Sequence, residues 1–272
     1  MVNDRLYIVA GDIVTNRLKI QFSESRPEFL RSHVNSFAVS YTYSIDLSIS
    51  WTTSDVDPQA VSTASLITHV KEPILWYNPS ENEVHMWGGL TFNESELPGS
   101  YSFTPSDSGG VVWAETPSPN SEQGTIGALR GLWGSAYTAA PTTLYSLGGV
   151  DTTDGIITPV TSAVTNEFDT NTWVNDTSTA GFGTRLNFDS RLEYVPNFGA
   201  SGVLIALTGR VFQNQSSYTD GGFTLAGFSS VDLYDIDSST WYSQKTTGDI
   251  PPQVSDFCTV GADAEDRGSY EM

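Results

Sequence analysis

The chain is poor in cysteine and in positive charge. Over 272 residues it carries one cysteine, Cys258, and 12 Lys plus Arg against 32 Asp plus Glu, for a formal charge of -20. A lone cysteine excludes an internal disulfide. The shortage of cations excludes nucleic acid and anionic lipid surfaces as partners of the body of the protein, because both are held mainly by Lys and Arg. His33, His69 and His85 are scattered along the chain, so no zinc-type spacing and no metal site is expected, and no cofactor motif is present. Long apolar runs are missing as well. Leu6 to Ala10 is too short for the apolar region of a secretory leader, and Val203 to Leu207 falls far below the roughly 18 residues of a membrane-spanning helix. With 16% charged residues, 12% aromatics and 24 glycines, the composition is that of a folded chain with a filled core and many turns rather than a disordered or coiled-coil one.

What is present is a repeat. An apolar run closing on glycine occurs as Leu6-Tyr-Ile-Val-Ala-Gly11, Val84-His-Met-Trp-Gly-Gly89, Leu144-Tyr-Ser-Leu-Gly-Gly149 and Leu204-Ile-Ala-Leu-Thr-Gly209. Gly89, Gly149 and Gly209 are spaced 60 residues apart. A tryptophan follows each segment, at Trp51, Trp113, Trp173 and Trp241, and the Trp-to-glycine intervals are 38, 36 and 36. Before three of these tryptophans lies an alternating strand with an acidic end: Tyr43-Ser-Ile-Asp46, Glu167-Phe-Asp169 and Val231 to Asp237. Alternation, a polar turn and a Trp strand read as a β-hairpin. The second repeat, with Tyr101 to Pro105 and a longer connection before Trp113, predicts an irregular one.

Each unit has room for one more strand between its Trp and the next glycine pair, as in Gly131 to Thr138 before the turn at Ala140-Pro141. Four strands in about sixty residues, without helical periodicity, predict an antiparallel propeller blade whose tryptophans and tyrosines fill the space between neighbours. The glycines Gly11, Gly88, Gly89, Gly148, Gly149 and Gly209 are expected on the inner strand, where backbones converge.

The Leu-Tyr-x-x-Gly-Gly strand, the Asp-to-Trp hairpin and their order resemble kelch repeats, particularly the fungal kelch-type propellers related to the attractin and galactose-oxidase-like groups. The resemblance runs from Arg5 to about Gly261, with departures at Ala10 and Thr208, where the first glycine of the pair is replaced. It implies an all-β, kelch-type β-propeller of four-stranded antiparallel blades, about four of them, in an incomplete ring. The expected repeats are 1–56, 57–117, 118–177, 178–246 and a partial unit 247–272. Asp256 to Gly261 would begin a fifth blade or complete the first.

Function is expected on the long second-to-third-strand connections, which begin at Asp12, Leu90, Val150 and Arg210 and leave one face of the ring. The first connection gathers Arg17, Lys19, Arg26 and Arg31, a local positive patch able to receive an acidic partner or glycan, alongside Asp12, Glu24 and Glu28 that can neutralise it. The fourth offers Tyr218, Phe223 and Phe228 to stack on a sugar or pack on a protein. Asn93, Asn175 and Asn214 head glycosylation sequons.

No nucleophile elbow, phosphate loop or metalloprotease helix motif occurs. Asp46, Asp169 and Asp237 recur in equivalent hairpins and read as structural. The expected function is a non-catalytic module binding a protein or glycan in the secretory pathway or at the cell surface. A propeller glycoside hydrolase with carboxylates in the central cavity and an intracellular scaffold are the alternatives.

Overall fold

The computed structural model describes residues 4–9, 12–14, 36–38, 41–50, 52, 56, 58–62, 70–91, 98–117, 126–127, 129–153, 158–176, 187–207, 209–212, 223–255, 257–264 and 269–271. These residues contain no α-helix. Three sheets have four antiparallel strands in sequence order. The second sheet of the chain runs Ile74–Asn78, Glu83–Trp87, Ser100–Phe103, Ala114–Thr116, and the third runs Ala136–Ala139, Thr143–Leu147, Ala163–Glu167, Thr172–Asp176. The fourth runs Arg191–Val195, Val203–Leu207, Ser230–Asp235, Thr240–Lys245. The first sheet has three strands, Arg5–Val9, Tyr41–Asp46 and Gln59–Ser62. Each is a meander in which chain neighbours are also sheet neighbours, the architecture of a propeller blade.

The first strands of the blades lie inside. Ala136–Ala139 packs against both Ile74–Asn78 and Arg191–Val195, whereas the last strand of the fourth blade, Thr240–Lys245, is largely exposed. Period-two alternation gives every strand two faces, and here both are used. Ile74, Trp76 and Trp87 turn towards the third blade, where they meet Leu144, Val164, Phe168 and Trp173. Their strand neighbours Leu75, Tyr77, Val84 and Met86 turn towards the first blade and pack with Tyr7, Val9 and Val61. A third cluster, with Ala136, Leu147, Leu192, Leu204 and Ala206, joins the third and fourth blades. Burying a large apolar side chain contributes about 1.5–3 kcal/mol, so these inter-blade layers dominate the apolar stabilisation.

The repeated tryptophans face the preceding blade. Trp113 donates its indole N–H to Thr42 Oγ1 of the first blade at 2.9 Å. Two further bonds join the same pair of blades, Ser44 Oγ to the Gly109 carbonyl at 3.0 Å and Arg5 Nε to the Asp107 carbonyl at 2.8 Å. Trp173 lies 4.8 Å from Trp87 and 5.9 Å from Trp76 between ring centroids, and Trp241 packs on the cluster that joins the third and fourth blades, 5.0 Å from Tyr234 of its own blade. Trp51 and Gly11 lie outside the described residues. The strand paired with Tyr41–Asp46 is Gln59–Ser62, beyond Trp51 and residue 56, so the first hairpin is wider than the Asp-to-Trp spacing predicts.

The glycine pairs are not on the innermost strands; they end the second strands. There the chain passes the segment that leads into its own blade. A Cβ on Gly149, at φ +90°, would stand 2.7 Å from the Trp133 carbonyl oxygen and 2.9 Å from the Ser135 nitrogen. Gly209 approaches the Asp189 carbonyl in the same way. The close approach exists because this crossing adds a small ribbon to the second, third and fourth blades. Leu90–Thr91 pairs with Val70–Lys71, Val150 bridges to Trp133, and Arg210–Phe212 pairs with Asn187–Phe188. The long connections continue from these ribbons, as Val150–Asp151 with Thr158–Pro159, Arg210–Phe212 with Phe223–Leu225, and Asp12–Val14 with Ser36–Ala38.

After the fourth blade, Ala262–Asp263 pairs with Tyr270–Glu271. Residues 257–261 form no strand. They lie along the fourth blade's inner strand, where Thr259 Oγ1 and the Tyr270 hydroxyl donate to the Glu193 carboxylate at 3.2 and 2.7 Å.

Candidate functional site

The ribbons place the second-to-third connections and the lead-ins to the first strands at one end of the blades. Of the residues expected to bind there, Arg17, Lys19, Arg26, Arg31 and Tyr218 lie outside the described residues. Phe223 is half-buried rather than free: it packs edge-on to Phe188 at 5.7 Å and lies 5.1 Å beneath the Arg210 guanidinium. Arg210 is itself buried, paired with Asp189 at 3.0 Å and donating to Ser255 Oγ at 3.1 Å. The aromatics of this connection thus help to anchor it. Phe228 is half-buried as well, with Phe257 as its ring neighbour at 5.9 Å. Of the sequons, Asn175 is half-buried on the outer strand Thr172–Asp176, and Asn93 and Asn214 lie outside the described residues.

The acidic turns are held by local bonds. Asp46 accepts the backbone N–H and hydroxyl of Ser48 at 2.9 and 2.6 Å, and these bonds hold its carboxyl below the usual carboxylate range. In the fourth blade this role falls to Asp235, which accepts from the Asp237 N–H and from Ser238 Oγ. In the third it falls to Asn171, which at φ +49° accepts from Asn166 and from the Trp173 indole N–H. Residues two positions from Asp169 and Asp237 therefore make the turn bonds that the sequence assigned to those acids.

Among the described residues, a recess lies at the opposite end, between the second and third blades. It is a crevice of about 210 Å³. The second blade contributes Trp76, Asn78, Glu81, Glu83 and His85, and the third contributes Asn166, Phe168, Asn171 and Trp173. Strand register brings Trp76 opposite His85 and Asn78 opposite Glu83. The His85 ring stacks on Trp76 at 5.0 Å and 13°. Its Nε2 lies 3.3 Å from Glu81 Oε2 and 3.8 Å from Glu83 Oε2. Glu81 comes from the turn between the strands and is positioned by Asn78, whose Nδ2 donates to Glu81 Oε2 at 2.9 Å, while Asn78 Oδ1 accepts from the N–H and hydroxyl of Ser80. Burial pushes the His85 pKa below the ordinary histidine value, against the pull of Glu81 and Glu83. One donor atom from each of Glu81, Glu83 and His85 lies within 4.8 Å of the others.

Weighing the histidines only against one another missed this group. The pattern Glu81-Asn-Glu-Val-His85 carried the signal, because residues 83 and 85 of a strand share a face. What the sequence did not supply was the inward fold of Glu81 and the wall formed by the next blade.

No family model matches the chain. A kelch repeat-containing protein of Arthroderma benhamiae is 36% identical over 93 residues, which are 34% of this chain and 12% of that protein. The chain thus corresponds to a small part of the length of this relative. The sheets described above make this an all-β protein built of four-stranded antiparallel sheets, as a propeller fragment would be, and the similarity is to a kelch repeat-containing protein.

Proposed function

We propose that the protein is a non-catalytic binding propeller that presents its long second-to-third connections to a partner protein or glycan, in the secretory pathway or at the cell surface. The observation that carries this reading is the recurrent ribbon. Four long connections leave their blades after the same strand, and each is stiffened at its root by a short antiparallel pair. A rigid scaffold holding variable connections at one end is a common basis for binding surfaces. The kelch-type relative supports a binding role, and the sequons support the compartment.

Affinity capture and a glycan array with the native protein test the reading. A variant with residues 213–222 replaced by a Gly-Ser linker should lose the captured partner and keep its melting temperature. Unchanged capture by this variant and by equivalent replacements in the other connections would refute the assigned face. Turnover of an aryl glycoside that is lost in a carboxylate variant would refute the non-catalytic role. A gel shift of the native protein on glycosidase treatment is the expected result for the secretory route.

A further inference from the structure

We propose that Glu81, Glu83 and His85 form a site for a zinc-type divalent cation at the mouth of the crevice between the second and third blades. Three donors at about 2.0–2.2 Å from one ion in a tetrahedral arrangement stand about 3.3–3.6 Å from one another. His85 Nε2 stands 3.3 Å from Glu81 and 3.8 Å from Glu83, close to that spacing. The Glu81 side chain is 54% exposed and is able to complete the arrangement with a small movement. One imidazole and two carboxylates favour a borderline ion over calcium, which takes an all-oxygen set.

The ligands are also held in the manner of a metal site. Stacking on Trp76 fixes the His85 ring, and the Asn78 amide orients the Glu81 carboxylate; supports of this kind tune affinity in known sites. The crevice leaves room for a fourth ligand such as water.

The fold does not require these residues. At the positions equivalent to Glu83 and His85, 60 and 120 residues further on, the third blade has Thr143 and Tyr145 and the fourth has Val203 and Ile205. The second glycine of the pair that follows, Gly89, Gly149 or Gly209, keeps its place in all three blades. An acid and a histidine that only one of three superposable strands carries, converging with a third ligand from a turn, are explained by a local task better than by blade packing.

The test is calorimetric titration of EDTA-stripped, desalted protein with Zn²⁺, with Ca²⁺ in parallel. The expected result is about one equivalent of Zn²⁺ bound, with affinity about tenfold or more weaker in Glu81→Gln and in Glu83→Gln. Both substitutions preserve shape on partly exposed side chains, so both variants should fold. Zn²⁺ should raise the melting temperature of the native protein and not of the variants, and Co²⁺ should give a tetrahedral visible spectrum that the variants lose. Absence of saturable Zn²⁺ binding, preference for Ca²⁺, or affinity unchanged in both variants would overturn the proposal.

Discussion

The second-third and third-fourth blade interfaces occupy equivalent places in the repeat and are built from different side chains. The former is a layer of indoles, with Trp76 and Trp87 of one blade against Trp173 of the next. The latter mixes Ala136, Ala163 and Ala206 with Leu147, Leu192 and Leu204, with no indole at its buried centre, and rings that centre with Tyr145, Tyr194, Tyr234 and Trp241. Indoles hold the blades apart and leave a crevice that Glu81, Glu83 and His85 can line. The tyrosines at the other interface occupy the corresponding space themselves, Tyr145 standing where the second blade has His85. One repeat thus gives a recess at one junction and a filled seam at the next, according to side-chain volume.

Removing the wedge should break the first interface most severely. Trp173→Ala is expected to lower stability by about 3–5 kcal/mol, the usual range for a buried tryptophan, whereas Trp241→Ala should cost clearly less because Trp241 is only half-buried. Urea unfolding of the two variants side by side measures the difference; equal losses would remove the distinction drawn here. Enlarging an alanine of the filled seam is the converse experiment. Ala206→Leu, at a site 2% exposed, should cost about 1–3 kcal/mol through overpacking, read from the same unfolding curves.

At each crossing the glycine should matter more than its size suggests. Gly149→Ala combines an L-residue at φ +90° with contact against the Trp133 carbonyl, and a loss of about 1–3 kcal/mol in thermal or urea unfolding is expected. The smallest effect concerns pH. Burial pushes the Tyr145 hydroxyl up to about 12 from the ordinary tyrosine value of 10.0. The folded state therefore holds this proton more tightly than the unfolded chain, so its stabilising contribution is complete below pH 10 and is lost as pH rises towards 12. Stability measured across that window should fall less steeply for Tyr145→Phe than for the native protein.

Much of the fold was legible because repetition amplifies weak signals. A single glycine pair has little meaning, but Gly89, Gly149 and Gly209 at one spacing, each with a tryptophan in register, required a unit of fixed size. The expectation that the glycines lie on the innermost strand failed, because a need for close approach can be read from a glycine, while the identity of what approaches cannot. The first hairpin was misjudged for a related reason: Gln59–Ser62 is a short, polar strand with no apolar pattern of its own, and pairing with Tyr41–Asp46 defines it.

The site was less legible. Glu83 and His85 sit two apart on one strand, yet their meeting with Glu81 depends on the turn at residues 79–82 and on the amide of Asn78, and the crevice wall is supplied by Trp173, almost ninety residues away. Phe223 looked like an available aromatic in a glycine-rich stretch, and its engagement with Phe188 and Arg210 could not be read from its neighbours in sequence.

By itself the sequence determined the repeat, the antiparallel four-stranded unit, the acidic surface and the lack of covalent staples, because spacing, alternation and composition are properties of the chain that local backbone geometry converts directly into strands and turns. Only the tertiary structure decided which faces of those strands meet, where the indoles open a recess, and that two carboxylates and an imidazole share it. These outcomes depend on side-chain volumes packed between blades about sixty residues apart in the chain, and no local pattern records them.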